Sequence, residues 1–105
     1  MINAKVNRVV DGDTLEVTAT FKVRMDFIDA PETKGVEKLK GDISKQWLKN
    51  RIEGKTVQLD VKTKDVYDRF LSVVYKDGLN INGEMVEKNL AEIYSPLNHD
   101  NGKED

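Results

Sequence analysis

Five short apolar runs, most of them alternating with polar residues, constrain the fold of this chain more than any other feature. They cover residues 2–10, 15–19, 21–28, 57–61 and 70–75. Because successive side chains of a strand point to opposite faces, a period of two predicts strands with one buried face. Asp11-Gly12-Asp13 and Asp77-Gly78 have the residue types of tight turns, so we expect the chain to reverse at both.

One longer segment has the spacing of a helix. Its apolar residues recur three to five positions apart and form one stripe, which consists of Leu39, Ile43, Trp47 and either Leu48 or Ile52. This spacing predicts a helix from about Val36 or Leu39 to Glu53, with the stripe facing the core. Gly54 follows directly, where a glycine commonly ends a helix. We interpret Trp47 as a core residue rather than a base-stacking platform.

A second, shorter helix is predicted after Asn82, which we expect to cap it. Met85, Val86 and Leu90 then face the core. Asn89 stands where a left-handed residue ends a helix, and Asn tolerates that conformation better than most residues.

The order of these elements predicts an α+β fold. Three antiparallel strands, a helix, two strands and a short helix fit an OB-fold, a five-stranded antiparallel β-barrel with two helices. The length of 105 residues suits one domain, which we place at residues 1–97, with a flexible acidic tail over 98–105. Such barrels often bind nucleic acids or sugars, but the fold alone does not define the function.

Composition excludes several classes of protein. The chain has no cysteine and one histidine, which excludes disulfides, thiol catalysis and multi-histidine metal sites. No apolar run approaches the roughly 20 residues of a transmembrane helix, so we expect no membrane partner. The net charge of -2 argues against a uniformly basic nucleic-acid binder, but residues 34–76 carry +5. That segment is either a solvated lysine-rich face or a surface that attracts polyanions.

Three clusters have the residue types of a hydrolytic site. They are Asp11-Gly12-Asp13-Thr14, Arg24 with Asp29-Ala30-Pro31-Glu32-Thr33, and Tyr67-Asp68-Arg69. Taken singly, each has an ordinary interpretation as a turn, a strand end or a surface ion pair.

Taken together, the clusters indicate chemistry on a phosphodiester. Asp13 and Asp29 lie at opposite ends of strands that can pair as a hairpin, so their carboxylates can converge on a hard divalent cation. Glu32 can accept a proton from water. Arg24 and Arg69 can bind phosphate oxygens in a bidentate manner. Metal, base and cations suit in-line attack of water on phosphorus.

In these stretches the chain resembles the staphylococcal nuclease-like (thermonuclease) family. The matching stretches occur in the family's order and cover most of residues 5–94: Val9-Val10-Asp11-Gly12-Asp13-Thr14, Val23-Arg24, Ile28-Asp29-Ala30-Pro31-Glu32-Thr33, Tyr67-Asp68-Arg69 and Asn89-Leu90-Ala91. The resemblance implies an OB-type barrel with helices. It also implies a Ca²⁺-dependent nuclease that acts on DNA and RNA and leaves 3′-phosphate ends.

The resemblance further implies roles for single residues. The implied metal ligands are the carboxylates of Asp13 and Asp29 and the carbonyl of Ala30, with Asp11 close by. The implied catalytic residues are Glu32 as general base and the phosphate-binding Arg24 and Arg69. The implied substrate-binding residues are Tyr67, beside a phosphate, and Tyr94, near the base.

Three residues depart from the family pattern. Asp68 stands where the family usually has glycine, and its charge can draw Arg69 away from phosphate. Asn89 replaces a frequent glycine, and Phe27 replaces a usually smaller residue before Ile28-Asp29.

The sequence leaves two further functions open. The barrel can be a non-catalytic nucleic-acid-binding module or a protein-interaction module with a vestigial site, since Asp68 and the acidic ends weaken attraction for phosphate. As the leading function we expect a Ca²⁺-dependent nuclease with DNA and/or RNA as its substrate, acting as a monomer. The lack of an apolar N-terminal stretch and of cysteine is typical of a cytoplasmic protein, although a trimmed secreted chain would look the same.

Overall fold

The structure is a computed structural model that describes residues 1–18 and 21–94. Its strands are β1 (Ile2–Asp11), β2 (Thr14–Val17), β3 (Phe21–Met25), β4 (Ile28–Asp29), β5 (Thr56–Lys64), β6 (Phe70–Lys76), β7 (Leu79–Asn80) and β8 (Glu92–Ile93). Its helices are a 3₁₀ turn (Gly35–Glu37), α1 (Lys38–Ile52) and α2 (Ile81–Glu87). The predicted end of the second strand at Ala19 and the predicted acidic tail over 98–105 lie outside the described residues.

Five of the strands close into a barrel in the order β3-β2-β1-β5-β6. Neighbours in this order are antiparallel, whereas β3 and β6 close the barrel as a parallel pair with Val23 opposite Phe70. The predicted α+β fold with an OB-type five-stranded barrel is confirmed, but the barrel is not wholly antiparallel. A parallel pair needs a long connection, and residues 26–69, which include α1, supply it.

The predicted continuous strand over 21–28 is wrong, because β3 ends at Met25 and β4 begins at Ile28. Between them Phe27 has a φ of 67°, a left-handed conformation that interrupts a strand. Arg24 fastens this turn, since its Nη1 donates to the carbonyls of Met25 at 2.7 Å and Ile28 at 2.8 Å. β4 then pairs with β8 in a separate small sheet, in which Asp29 lies opposite Glu92.

Helix α1 faces the core with the second half of its predicted apolar stripe, but not with the first half. Leu39 and Ile43 are exposed, at 75% and 54%. In that half the buried residues are Gly41 and Ser44, whereas Leu48, Ile52 and the partly buried Trp47 pack in the core as predicted. The reason is the close approach of α1 to the loop after β4, which only small side chains allow in its first half.

Helix α2 is capped by Asn80 rather than by Asn82, so the predicted cap is wrong. The Asn80 Oδ1 accepts from the Gly83 N–H at 2.9 Å. Asn82 is buried within the helix, where its Oδ1 accepts from the Val74 N–H. Its Nδ2 donates to the Asp26 carbonyl, so Asn82 ties the helix to β6 and to the turn after β3.

The other predicted features of the helix ends and turns are confirmed. Gly54 and Gly78 both have positive φ, as the end of α1 and the β6–β7 turn require. Asn89 has a φ of 59° after α2, and Met85 is fully buried. No helix within residues 1–18 and 21–94 combines the length and apolar character that crossing a bilayer requires.

Candidate functional site

Six of the eight predicted site residues line one polar cleft of about 300 Å³. They are Asp13, Arg24, Asp29, Ala30, Glu32 and Arg69. Tyr67 and Tyr94 line a larger adjoining cleft of about 620 Å³, which shares Arg24, Asp29 and Arg69 with the first. The barrel thus brings together residues that the sequence separates by more than 50 positions.

Asp13 lies in the turn between β1 and β2 and is almost fully buried. Its Oδ1 accepts from the Thr14 hydroxyl at 3.1 Å, and its Oδ2 accepts from the Ala30 N–H at 2.8 Å. Burial raises the pKa of the Asp13 carboxyl, and the charge of Arg24 opposes that shift. The turn approaches Ala30 closely, because a Cβ on Gly12 would lie 2.8 Å from the Ala30 Cβ. This turn therefore requires glycine for space.

Arg24 lies between the two predicted metal-binding carboxylates. Its Nη2 is 3.5 Å from the Asp13 Oδ2 and 3.3 Å from the Asp29 Oδ1. The Asp29 side chain is 62% exposed, whereas the other two are mostly buried. The carboxylates therefore converge on one cationic nitrogen, which balances the negative charge that they concentrate.

Two hydrogen bonds and the close packing of α1 hold the loop that carries Glu32. The Glu32 N–H donates to the Glu37 Oε1 at 3.1 Å, and the Thr33 hydroxyl donates to the Asp11 Oδ1 at 2.9 Å. Helix α1 passes directly against the loop, because a Cβ on Gly41 would lie 2.0 Å from the Glu32 carbonyl oxygen. The Glu32 residue itself is exposed on the cleft.

Asp65 holds Arg69, a contact that the sequence motifs do not predict. The Arg69 Nε donates to the Asp65 Oδ2 at 2.8 Å, while the Asp65 Oδ1 accepts the backbone N–H groups of Tyr67 and Arg69 at 2.9 Å each. Burial by itself raises the pKa of Asp65, but these hydrogen bonds outweigh it and lower the pKa. The signal in the sequence was an aspartate at the start of a loop, four residues before an arginine.

Asp68 contacts a different cation from the one that the sequence analysis expected. Its Oδ1 lies 2.7 Å from the Lys64 Nζ, and its side chain is 82% exposed. The ion pair with Asp65 uses the Nε atom of Arg69. The terminal nitrogens of Arg69 can therefore contact an anion where the two clefts adjoin.

The three departures from the family pattern all have left-handed backbone. The φ angles are 67° at Asp68, 59° at Asn89 and 67° at Phe27. Glycine is the usual residue in this conformation, and Asn and Asp are the best tolerated substitutes. The first two departures therefore preserve the local backbone, whereas Phe27 is a bulky residue in a conformation that costs free energy.

The side chains of the cleft offer hard oxygen ligands. Asp13 and Asp29 supply carboxylates from two elements, and Ala30 adds a backbone carbonyl, a donor set of the kind that Ca²⁺ takes. The described residues hold no group of three or more His, Cys, Asp or Glu side chains placed around a common metal position. A cation here would therefore take its remaining ligands from backbone or solvent oxygens.

Comparisons with known proteins agree with this arrangement. The sequence model of the family described as "Staphylococcal nuclease homologue" matches residues 22–105. An "Uncharacterized endonuclease" of Escherichia coli is 40% identical over 103 residues, which cover 94% of this chain and 65% of the relative. A protein of the same description from Haemophilus influenzae is 40% identical over 100 residues, covering 91% and 54%.

A more distant relative, "Endonuclease YncB" of Bacillus subtilis, is 31% identical over 103 residues, which cover 89% of this chain and 48% of that protein. The chain therefore spans about half to two thirds of the length of these curated relatives.

Proposed function

Because the chain belongs to the staphylococcal nuclease homologue family, we propose that it is a Ca²⁺-dependent nuclease. It hydrolyses phosphodiester bonds of DNA and/or RNA and leaves 3′-phosphate ends. The observation that carries the proposal is the convergence of two carboxylates, two arginines and Glu32 on one cleft of about 300 Å³. Relatives described as endonucleases support the same reaction class.

The residues present fit a calcium ion. The carboxylates of Asp13 and Asp29 and the carbonyl of Ala30 are the groups that would hold it. A bound Ca²⁺ supplies positive charge that neutralises the scissile phosphate.

Arg24 and Arg69 bind the phosphate and stabilise the charge that develops on it. Both guanidinium groups line the cleft, and each has a partner that fixes its orientation, the turn carbonyls for Arg24 and Asp65 for Arg69. Preorganised cations of this kind act on the transition state because they need no reorientation during the reaction.

Glu32 accepts the proton of the attacking water. The water oxygen forms a bond to phosphorus as the bond from phosphorus to the 5′-oxygen breaks. The 5′-oxygen leaves with the bonding electrons and takes a proton from solvent, so the phosphate stays on the 3′ side. Glu32 suits this task because its side chain is exposed on the cleft while its backbone is fixed.

A non-catalytic nucleic-acid-binding or protein-interaction module is the second candidate. The contacts of Arg24 favour it, because its guanidinium supplies positive charge to both carboxylates without a metal ion. Such a module would bind nucleic acid in a salt-dependent manner without turnover, or would not bind it at all.

Cleavage of end-labelled single- and double-stranded DNA and RNA, in Ca²⁺ and in EDTA, tests the proposal. We expect cleavage in Ca²⁺ alone, with products that accept a 5′-label directly and carry a 3′-phosphate that a phosphatase removes. Glu32→Gln should lower the rate by about 10²- to 10⁴-fold. The control Leu39→Ala changes an exposed residue outside the cleft and should leave the rate unchanged. A folded protein that cleaves none of the four substrates contradicts the proposal.

A further inference from the structure

Asp68 occupies a backbone position that glycine would fill without strain. Its φ of 67° is left-handed, and glycine adopts this conformation more readily than aspartate does. Within residues 1–18 and 21–94, the Asp68 carboxylate makes no hydrogen bond to the loop backbone, which Asp65 holds instead. The contact that this carboxylate does make is the ion pair with Lys64, at 2.7 Å. The loop therefore does not need the Asp68 side chain for its shape.

The ion pair between Lys64 and Asp68 adds little to the stability of the fold. Both side chains are exposed, at 51% and 82%, and ion pairs at such positions are weak because water screens both charges. What the pair does change is the charge of this part of the surface, since it neutralises one lysine. Its role therefore concerns the binding of a charged ligand.

Lys64 lies where a cation can contact such a ligand. It is the last residue of β5, and its Nζ lies 5.5 Å from the centre of the Phe70 ring, so a second contact besides Asp68 positions the ammonium group. Lys64 lines the 620 Å³ cleft together with Arg24 and Arg69. It also lines a side cleft of about 300 Å³, which Asp68 lines too.

We infer that Asp68 lowers the affinity of the cleft for nucleic acid, because it occupies a lysine that otherwise binds a phosphate next to the scissile one. The inference rests on the proposed nuclease function and adds the residue that sets how tightly the substrate is held. A strand with one phosphate at the two arginines carries further phosphates along the same wall, where an unpaired Lys64 would contact one of them. With Asp68 in place, that phosphate meets a neutral pair instead of a cation.

Asp68→Asn tests this role with little change of shape. The amide removes the charge, and asparagine tolerates the left-handed backbone. Asp42→Asn is the matched control: Asp42 pairs with a lysine four residues away, Lys38, at 2.6 Å, and neither residue lines the clefts. Both substitutions raise the net charge by the same amount and break the same kind of ion pair, so they differ only in position.

The experiment measures fluorescence anisotropy of a 5′-labelled DNA strand of about ten nucleotides in Ca²⁺, at salt concentrations from about 50 to 200 mM. Every chain carries Glu32→Gln to suppress cleavage. We expect Asp68→Asn to bind about 3- to 10-fold more tightly at the lowest salt concentration. The slope of log Kd against log salt should steepen by about 0.7, the value for one added phosphate contact on a single strand. Asp42→Asn should change the affinity by less than about 2-fold.

The Lys64→Ala chain separates occupation of the lysine from simple repulsion by Asp68. If Asp68 acts by occupying Lys64, then Lys64→Ala alone should bind within about 2-fold of the parent, and Asp68→Asn should gain nothing when combined with it. In the chain with Glu32 intact, Asp68→Asn should lower KM by the factor seen in binding at an unchanged kcat, because the added contact is the same in the ground state and the transition state.

An affinity and salt slope that Asp68→Asn leaves unchanged overturn the inference, as does a lack of binding by both this variant and its parent. An equal gain in the Lys64→Ala chain also overturns it, since Asp68 would then repel phosphate directly, and so does an equal gain from Asp42→Asn. If Asp68→Asn gains affinity through Lys64 but the chain with Glu32 intact cleaves nothing, the nuclease proposal fails while the role of Asp68 stands. If that chain cleaves and Asp68→Asn binds as its parent does, the role of Asp68 alone fails.

Discussion

Replacing Gly41 by alanine tests whether helix α1 positions the loop that carries Glu32. A Cβ at this position would lie 2.0 Å from the Glu32 carbonyl oxygen, 2.4 Å from its carbonyl carbon and 2.8 Å from the Thr33 nitrogen. All three atoms belong to the backbone, so no side-chain rotation relieves the contact. Because Cβ contacts under 3.0 Å essentially do not occur, the loop must move by about 1 Å or more.

A displacement of about 1 Å in a catalytic group costs about 10²-fold in rate. We therefore expect Gly41→Ala to lower the cleavage rate by about two orders of magnitude. The fold should survive, because alanine favours the helix by about 1 kcal/mol while overpacking costs about 1–3 kcal/mol. Urea unfolding should accordingly show a net loss of no more than about 2 kcal/mol.

Gly83→Ala is the matched control, since it makes the same change within helix α2. A Cβ on Gly83 meets the Asn80 side chain at 3.5 Å, an ordinary contact. We expect this variant to be slightly stabilised, by up to about 1 kcal/mol, and to cleave at the natural rate. A folded Gly41→Ala protein that cleaves at the natural rate would show that this helix contact does not position Glu32.

Three other substitutions have distinct expected outcomes. Arg24→Lys should lose activity and also about 1–3 kcal/mol of stability in urea, because lysine cannot make both hydrogen bonds to the Met25 and Ile28 carbonyls. Arg69→Lys should lose mainly activity. Asp65→Asn keeps an oxygen for the two backbone N–H groups but breaks the ion pair with Arg69, so the KM for substrate should rise about tenfold while the fold persists. Glu53 accepts the buried Val9 N–H at 2.9 Å, and this bond lowers its pKa below the ordinary 4.5. The stability that this hydrogen bond contributes is therefore complete above pH 4.5 and is lost as the pH falls through the lowered pKa. The free energy of unfolding of Glu53→Gln should be smaller than that of the natural chain at neutral pH and should change less as the pH falls.

Local patterns predict the barrel because its strands follow the alternation of side chains closely. They predict the core-facing residues of the second half of α1 but not those of its first half, because hydrophobicity assigns Leu39 and Ile43 to the core. The contact that decides the orientation is made by Gly41 and Ser44, whose small size admits the neighbouring loop and the Leu90 carbonyl. Side-chain size at a single contact thus outweighs the average apolar pattern.

The same limit explains Asn82. An asparagine before a short helix has the chemistry of a cap, but it equally suits a buried position that needs one acceptor and two donors. The structure uses it in the second way, with bonds to Val74, Asp26 and Ser72. Only the three-dimensional arrangement of β6 and the turn after β3 distinguishes the two roles.

The composition of the candidate site could be inferred from its motifs, whereas its internal contacts could not. The parallel pairing of β3 with β6 brings Arg69 to the cleft, and no local pattern specifies that pair. The ion pair between Asp65 and Arg69 depends on a loop whose shape is set by backbone hydrogen bonds. The position of Arg24 between two carboxylates likewise follows from the turn that it fastens.

The calcium dependence of cleavage, compared between the natural chain and Asp29→Asn, tests the central claim most directly. Asp29 is 62% exposed, so an amide of the same shape leaves the fold intact while it removes one proposed ligand charge. We predict that cleavage rises with Ca²⁺ to a plateau, that EDTA abolishes it, and that Asp29→Asn moves the midpoint to at least tenfold higher Ca²⁺. Cleavage that does not depend on Ca²⁺, or a Ca²⁺ midpoint that Asp29→Asn leaves unchanged, would contradict a metal-dependent hydrolytic site at this cleft.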